Sequence, residues 1–260
     1  MNVDLLEYGA RHTRNRETFL LNFGTDFRTF DLAVNDLQNT WGRLGKERDV
    51  EGQSHAGLLL FVNILVRHTI LGFQHIAAYQ SFLGWLTFRP GLEALLILGK
   101  FLDDPANAKI WKERHLHRDV YWRVFSGKAL ASKRLPRSAD FRQVLTRLNE
   151  NFVHPNPDFA YRDMTVRDQD SSVILEIQFF DTVPSIHEAH LLAYVNLIDI
   201  ICLASESLVN ALCGPHSVVQ DDRKPFSIAA ASRATALASR NSIAKKVMED
   251  LGLWQFSFSD

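Results

Sequence analysis

The sequence predicts an all-α fold: a multi-helix bundle of six to eight helices with one inserted β-hairpin near residues 161–180. Three observations carry that expectation. Apolar residues recur every three to four positions almost throughout, as they do in helices that each bury one stripe. The best period-two alternation is "SSVILEIQFF" (171–180), with Val173, Leu175, Ile177 and Phe179 on one face. The segments 56–88 and 185–212 are too apolar for surface helices, which places them at the centre of the bundle. At 260 residues and 46% apolar, the chain has enough apolar surface for a sizeable core.

Taken in order, Phe19, Phe23, Phe27, Phe30, Val34, Leu37 and Trp41 mark a first long helix or a pair of helices. Residues 42–53, rich in glycine and charge, read as a loop. The apolar stretch from about 55 is expected to break at Arg89-Pro90-Gly91, because proline removes a donor and restricts the residue before it. A helix from Gly91 to Leu102 follows. Asp104 and Pro105 then supply an N-cap and an N1 proline for a helix reaching Phe125. Residues 126–136 read as a basic linker. Ser138 is expected to cap a helix that ends at His154, where Pro155 and Pro157 prevent continuation. The segment "YRDMTVR" pairs with 171–180 across a turn at Asp168-Gln169-Asp170. Pro184-Ser185 starts the most apolar helix, about 185–212, and 214–225 reads as a linker. Residues 227–250 read as one alanine- and serine-rich helix, followed by an aromatic tail with Trp254, Phe256 and Phe258. Two units result: 1–214, a helical bundle with the hairpin insertion, and 215–260, a linker with a C-terminal helical arm. The sequence leaves open whether that arm docks on its own chain or on a second copy.

Net charge is −1, so no global field recruits nucleic acid or an acidic membrane. The local balance differs. Residues 109–147 hold eleven Lys/Arg against three acids, and 149–206 hold ten acids against two arginines. The basic block reads either as a phosphate-facing surface or as a solvated face. Cys202 and Cys213 fall in one predicted helix about 16 Å apart by helical rise, beyond disulfide reach, which fits a reducing cytoplasm. The N-terminal segment has no apolar signal-peptide core. Arg67, Gln74 and Gln80 make the 56–88 stretch costly in lipid, so no membrane partner is expected.

Three sets of residues are candidates for chemistry. Arg147 and His154 are separated by six residues in "RLNENFVHP", and Asn149 or Asn151 lies between them as a polar contact. As a helix end, His154 has a structural use as well, bonding the last carbonyls and favouring the dipole when charged. Arg89 and Glu93 stand one helical turn apart in apolar surroundings. They read as a partly buried clamp at the Pro90 break or as a polar cluster at a pocket mouth, with His117 as a further binding candidate. Glu93, His117, His154 and His190 form a possible metal set, but no Glu-x-x-His pair exists, and no metal is expected. The sequence holds no Gly-rich phosphate loop, nucleophile elbow or kinase signature, so no cofactor is expected.

Arg147-x(6)-His154 resembles the motif of the HEPN superfamily, helical bundles whose RNase members bring an Arg and a His together at a dimer interface and cut RNA without metal. The resemblance implies that His154 assists the 2′-hydroxyl or the leaving oxygen and that Arg147 stabilises phosphorane charge. It implies a homodimer acting on RNA or a nucleotide, in a bacterial defence or toxin setting. "FRPGLEALLILGKFLDDPANAKIW" followed later by "LNENFVHP" is similar to uncharacterised bacterial helical families with an Arg-x-x-x-Glu pair and a late His-Pro, and that similarity brings no activity with it. The alternative expectation is a non-enzymatic helical interaction module, whose polar residues satisfy the core and the helix ends.

Overall fold

The computed structural model describes residues 5–46, 56–153, 164–169, 172–177, 180–214 and 220–251. The fold is all-α. Among the described residues there are ten α-helices: α1 (Leu5–Asn22), α2 (Gly24–Lys46), α3 (Ala56–Ala77), α4 (Ser81–Asp103), α5 (Ala106–Lys112), α6 (Arg118–Phe125), α7 (Ser138–Leu148), α8 (Pro184–Cys213), α9 (Gln220–Arg240) and α10 (Ser242–Asp250). Ten exceeds the six to eight expected, because the helices expected over 105–125 and 227–250 are each split in two, while the break expected at Pro90 is moved and not added to. Two short strands, β1 (Met164–Gln169) and β2 (Ser172–Ile177), pair antiparallel with Gln169 opposite Ser172. Asp168 and Gln169 therefore belong to β1 rather than to the expected turn.

The first unexpected break separates α3 from α4. It falls at Ala78–Gln80, not at Pro90. The Gln80 amide donates to His75 O at 2.9 Å and the Tyr79 amide to Ile76 O at 2.8 Å, a Schellman closure with Tyr79 in the left-handed position (φ 62°). A tyrosine there is strained. The His187 ring stacked on it at 3.8 Å helps hold it in place. Pro90 stays inside α4. One carbonyl of the turn before it, Thr87 O, accepts from His68 Nδ1 at 2.7 Å, which offsets local loss of helix bonding. The helix expected over 105–125 is split by the turn at 113–117. The segment 227–250 is split at Asn241, whose side chain caps α10 by accepting from the Ile243 and Ala244 amides.

Helix α8 is the axis of the bundle. Leu191, Leu192, Tyr194, Leu197, Ile198, Ile201 and Val209 are all buried, and α2, α9 and α10 pack on it. Helices α3 and α4 lie along each other, and their closest approach needs two glycines. A Cβ on Gly72 would stand 2.9 Å from Gly84 O, and one on Gly84 would stand 2.9 Å from Gly72 O. Tyr194 fills the space beside this crossing, its hydroxyl donating to Thr69 O at 2.7 Å. By length and composition Leu58–Ala77, Ser81–Asp103 and Pro184–Cys213 are apolar enough to cross a membrane. In the bundle, Asn63, Arg67 and Gln74 occupy the outward face of α3.

The segment from 220 on, expected as part linker and part arm, is helical from Gln220 and docks on its own chain. Ala230, Ala234, Ala238, Val247 and Met248 are buried in the common core. Two arginines lock it there. Arg223 pairs with Asp36 (3.2 Å) and Asp199 (3.0 Å), and Arg233 pairs with Asp26 (2.6 Å) and Glu188 (2.8 Å). The aromatic tail with Trp254, Phe256 and Phe258 lies outside the described residues. The basic linker at 126–136 is also pinned. Asp103 accepts from Ser132 Oγ and from the amides of Lys133 and Arg134, all at 2.8–2.9 Å. Ser138 is no cap: its hydroxyl accepts from the Ser132 amide at 2.6 Å, and α7 begins after Arg137 instead.

Candidate functional site

The richest polar junction among the sequence candidates forms where α4 meets the end of α7. Helix α4 sets Arg89 and Glu93 on one face, with Arg89 Nη1 3.3 Å from Glu93 Oε2. Arg89 Nε also donates to Asn149 Oδ1 across the helix pair. The two side chains are 29% and 37% exposed, so the pair is a half-open cluster and not the desolvated clamp that apolar neighbours suggested. With Nε and Nη1 engaged, the guanidinium plane is held from two sides. Its Nη2 has no partner among the described residues and remains for an incoming acceptor.

The backbone at Asn149 explains how it reaches α4. Helix α7 ends at Leu148, and a single wide turn of π type follows over Asn149–Val153. Such turns re-aim side chains and often sit at functional sites. Phe152 is buried and packs its ring 5.4 Å from Phe82, which anchors the turn to α4. The helix that was expected to run to His154 is α-helical to Leu148 and of π type to Val153, and His154 itself lies outside the described residues. Arg147, on the last turn of α7, is half-exposed and 3.6 Å from Glu150. Asn151 donates its amide to Asp250 O at 3.2 Å, a tie to the end of α10. Of the two asparagines in the motif, Asn149 is the one that meets Arg89.

Tyr121 on α6 closes another side. Burial pushes its hydroxyl pKa above the usual value, the Glu93 carboxylate adds to that, and Arg114 opposes it. Glu93 is thus paired with Arg89 and within electrostatic reach of Tyr121. His117 precedes α6, is exposed, and makes no side-chain capping bond. Around Tyr121 the surface of α5 and α6 is basic. Lys109, Lys112, Arg114, Arg118 and Arg123 are exposed, as is Trp122. Tyr121 was not singled out in the sequence, and nothing in its local pattern marks it. Asn149 was one of two alternatives, and no periodicity distinguishes it from Asn151.

His154 of the candidate metal set lies outside the described residues, and the described members are not gathered into a metal site. His190 is buried in the bundle with Trp85 Nε1 donating to its Nδ1 at 3.0 Å. Among the described residues no group of three or more His, Cys, Asp or Glu side chains could hold an ion. Cys202 is buried, and burial pushes its thiol far up, which leaves it inert as a nucleophile. No family model, curated protein or solved structure matches the chain.

Proposed function

We propose that the protein engages RNA or a nucleotide through its phosphate at the Arg89–Asn149 junction, and that with RNA it acts as a metal-independent nuclease. The observation that carries this reading is the bond from Arg89 to Asn149. It brings "FRPGLE" and "LNENF", two segments about sixty residues apart in sequence, into one half-open polar cluster. An arginine held on two sides by a carboxylate and an amide is pre-organised for a phosphate oxygen and loses little freedom on binding. In this reading His154, five residues past Asn149, supplies the general acid–base function and Arg147 adds charge stabilisation. The exposed cations of α5 and α6 supply attraction along the backbone, with Trp122 as a stacking surface. The HEPN resemblance further supports a homodimer, and the two free cysteines fit a reducing cytoplasm.

A second reading, a non-enzymatic helical interaction module, is favoured by two contacts. Arg147 is neutralised by Glu150, and Asn151 is used to tie α10. The two readings separate on labelled RNA incubated with the full chain, with and without chelator. The nuclease reading expects cleavage that survives chelator and disappears in Arg89→Ala and His154→Ala. Binding without cleavage, lost in Arg89→Ala alone, would narrow the function to nucleotide or RNA recognition. Neither binding nor cleavage would leave the interaction module.

A further inference from the structure

A second site lies on the opposite side of α3. Helices α1, α2 and α3 enclose an open groove of about 520 Å³, within the range of small-molecule sites. Its floor is aromatic and rigid. Phe30 and Phe73 stack with centroids 3.8 Å apart and planes within 3°, and Phe19 meets Phe73 edge-on at 5.7 Å. Val34 and Ile70 also line the groove. At the mouth two apolar side chains are left uncovered, Leu20 at 51% and Phe27 at 44% exposure. A ligand body lying over them would remove that surface from water.

The rim is asymmetric in charge. Asp31 is already satisfied, 3.6 Å from Arg28 and accepting from Asn35 Nδ2 at 3.4 Å. Arg16 lines the groove, is exposed, and has no acidic partner among the described residues. The turn of α1 that carries it is tied to the end of α3. Asn15 donates to Ala78 O at 3.0 Å, so Arg16 enters at the Ala77 and Gln74 end. His12, one turn before Arg16, has its pKa lowered first by burial and then by Arg16 and His75, as expected where positive charge gathers.

We propose that this groove binds a small amphiphile with a single anionic head: the head on Arg16 beside Gln74, the apolar body over Phe27, Phe30 and Phe73, and the tail toward Val34 and Ile70. The cationic end and the neutralised acid select an anion over a cation with the same body. Calorimetric titration of the full chain with decanoate, and separately with decyltrimethylammonium, tests this with one tail and two heads. Decanoate is expected to bind one site at least about tenfold more tightly. Arg16→Glu should abolish that preference, and Phe27→Gln should weaken both ligands. Both positions are exposed, so the fold should be kept, with the melting temperature as the check. Arg89→Ala should leave decanoate binding unchanged. No saturable decanoate site, equal affinity for the two heads, or no response to Arg16→Glu would overturn the proposal. So would light scattering that shows a dimer which Phe27→Gln dissolves and decanoate does not, since the groove would then hold a second copy.

Discussion

Arg223 and Arg89 make the same kind of contact in opposite settings. Each guanidinium holds two oxygen-bearing partners, Asp36 and Asp199 for Arg223, Glu93 and Asn149 for Arg89. Arg223 is 4% exposed, and burial keeps the Asp199 carboxyl pKa raised even with Arg223 beside it. Arg89 is 29% exposed and Glu93 37%. Inside the bundle the Arg223 guanidinium is paired with two carboxylates, because an unpaired charge there costs several kcal/mol. At the α4–α7 junction water screens the pair and leaves a donor edge open, so the geometry is available to a ligand. Contact chemistry alone does not separate a strut from a site; burial does.

Removing the buried arginine should produce the largest effect. Arg223→Met strands Asp36 and Asp199 and is expected to cost about 3–5 kcal/mol in chemical denaturation. It should also loosen α9 from α2 and α8, visible as faster amide exchange over 220–240. A cost under about 1 kcal/mol would mean that water reaches the cluster and that the contrast with Arg89 is false.

His187 gives the next largest effect and works through pH. It is fully buried, its Nε2 donates to Ile76 O at 2.9 Å, and its Nδ1 has no hydrogen-bond partner. Burial lowers its pKa from 6.5 to about 4, against the Ile76 bond and Glu188, which favour the charged form. The unfolded chain therefore binds the extra proton between those values. The stability from a neutral His187 is full above pH 6.5 and is lost as pH falls toward 4, about 3 kcal/mol in all. His187→Gln keeps a donor for Ile76 and should flatten that part of the pH–stability curve. An unchanged slope would assign the loss to other groups.

The exposed pair should matter least to folding. Glu93→Ala is expected to cost no more than about 1 kcal/mol. A loss of 3 kcal/mol or more would return the pair to the role of a buried clamp.

The contrast also explains what the sequence disclosed. The apolar patterns of α2 and α8 were legible because the recurrence of apolar residues at helical spacing suffices to mark a buried helix. So was the Arg89–Glu93 spacing, a local property of one helix. The break at Tyr79 was hidden, since the left-handed residue is a tyrosine and its ring partner His187 comes more than a hundred residues later. Pro90 misled for the complementary reason: His68, on a different helix, serves a carbonyl in the turn that the proline weakens. The Asn241 cap was not read, because the alanine- and serine-rich pattern runs through it without a change of period. The partners of Arg89, Arg223 and Arg233 on other helices are set by packing, which no local pattern records. Burial, which separates the two arginines, is likewise a property of the assembled bundle.

The most direct test of the central claim measures RNA affinity and melting temperature together in Arg89→Ala and in the parent protein. Replacing a half-exposed arginine should leave the melting temperature within about 2 °C of the parent's, since surface changes cost little. Loss of a pre-organised phosphate contact should weaken RNA binding about tenfold or more, and the salt dependence should become shallower by about one phosphate contact. An affinity unchanged at unchanged stability would contradict the account, and so would an affinity lost only in step with the fold.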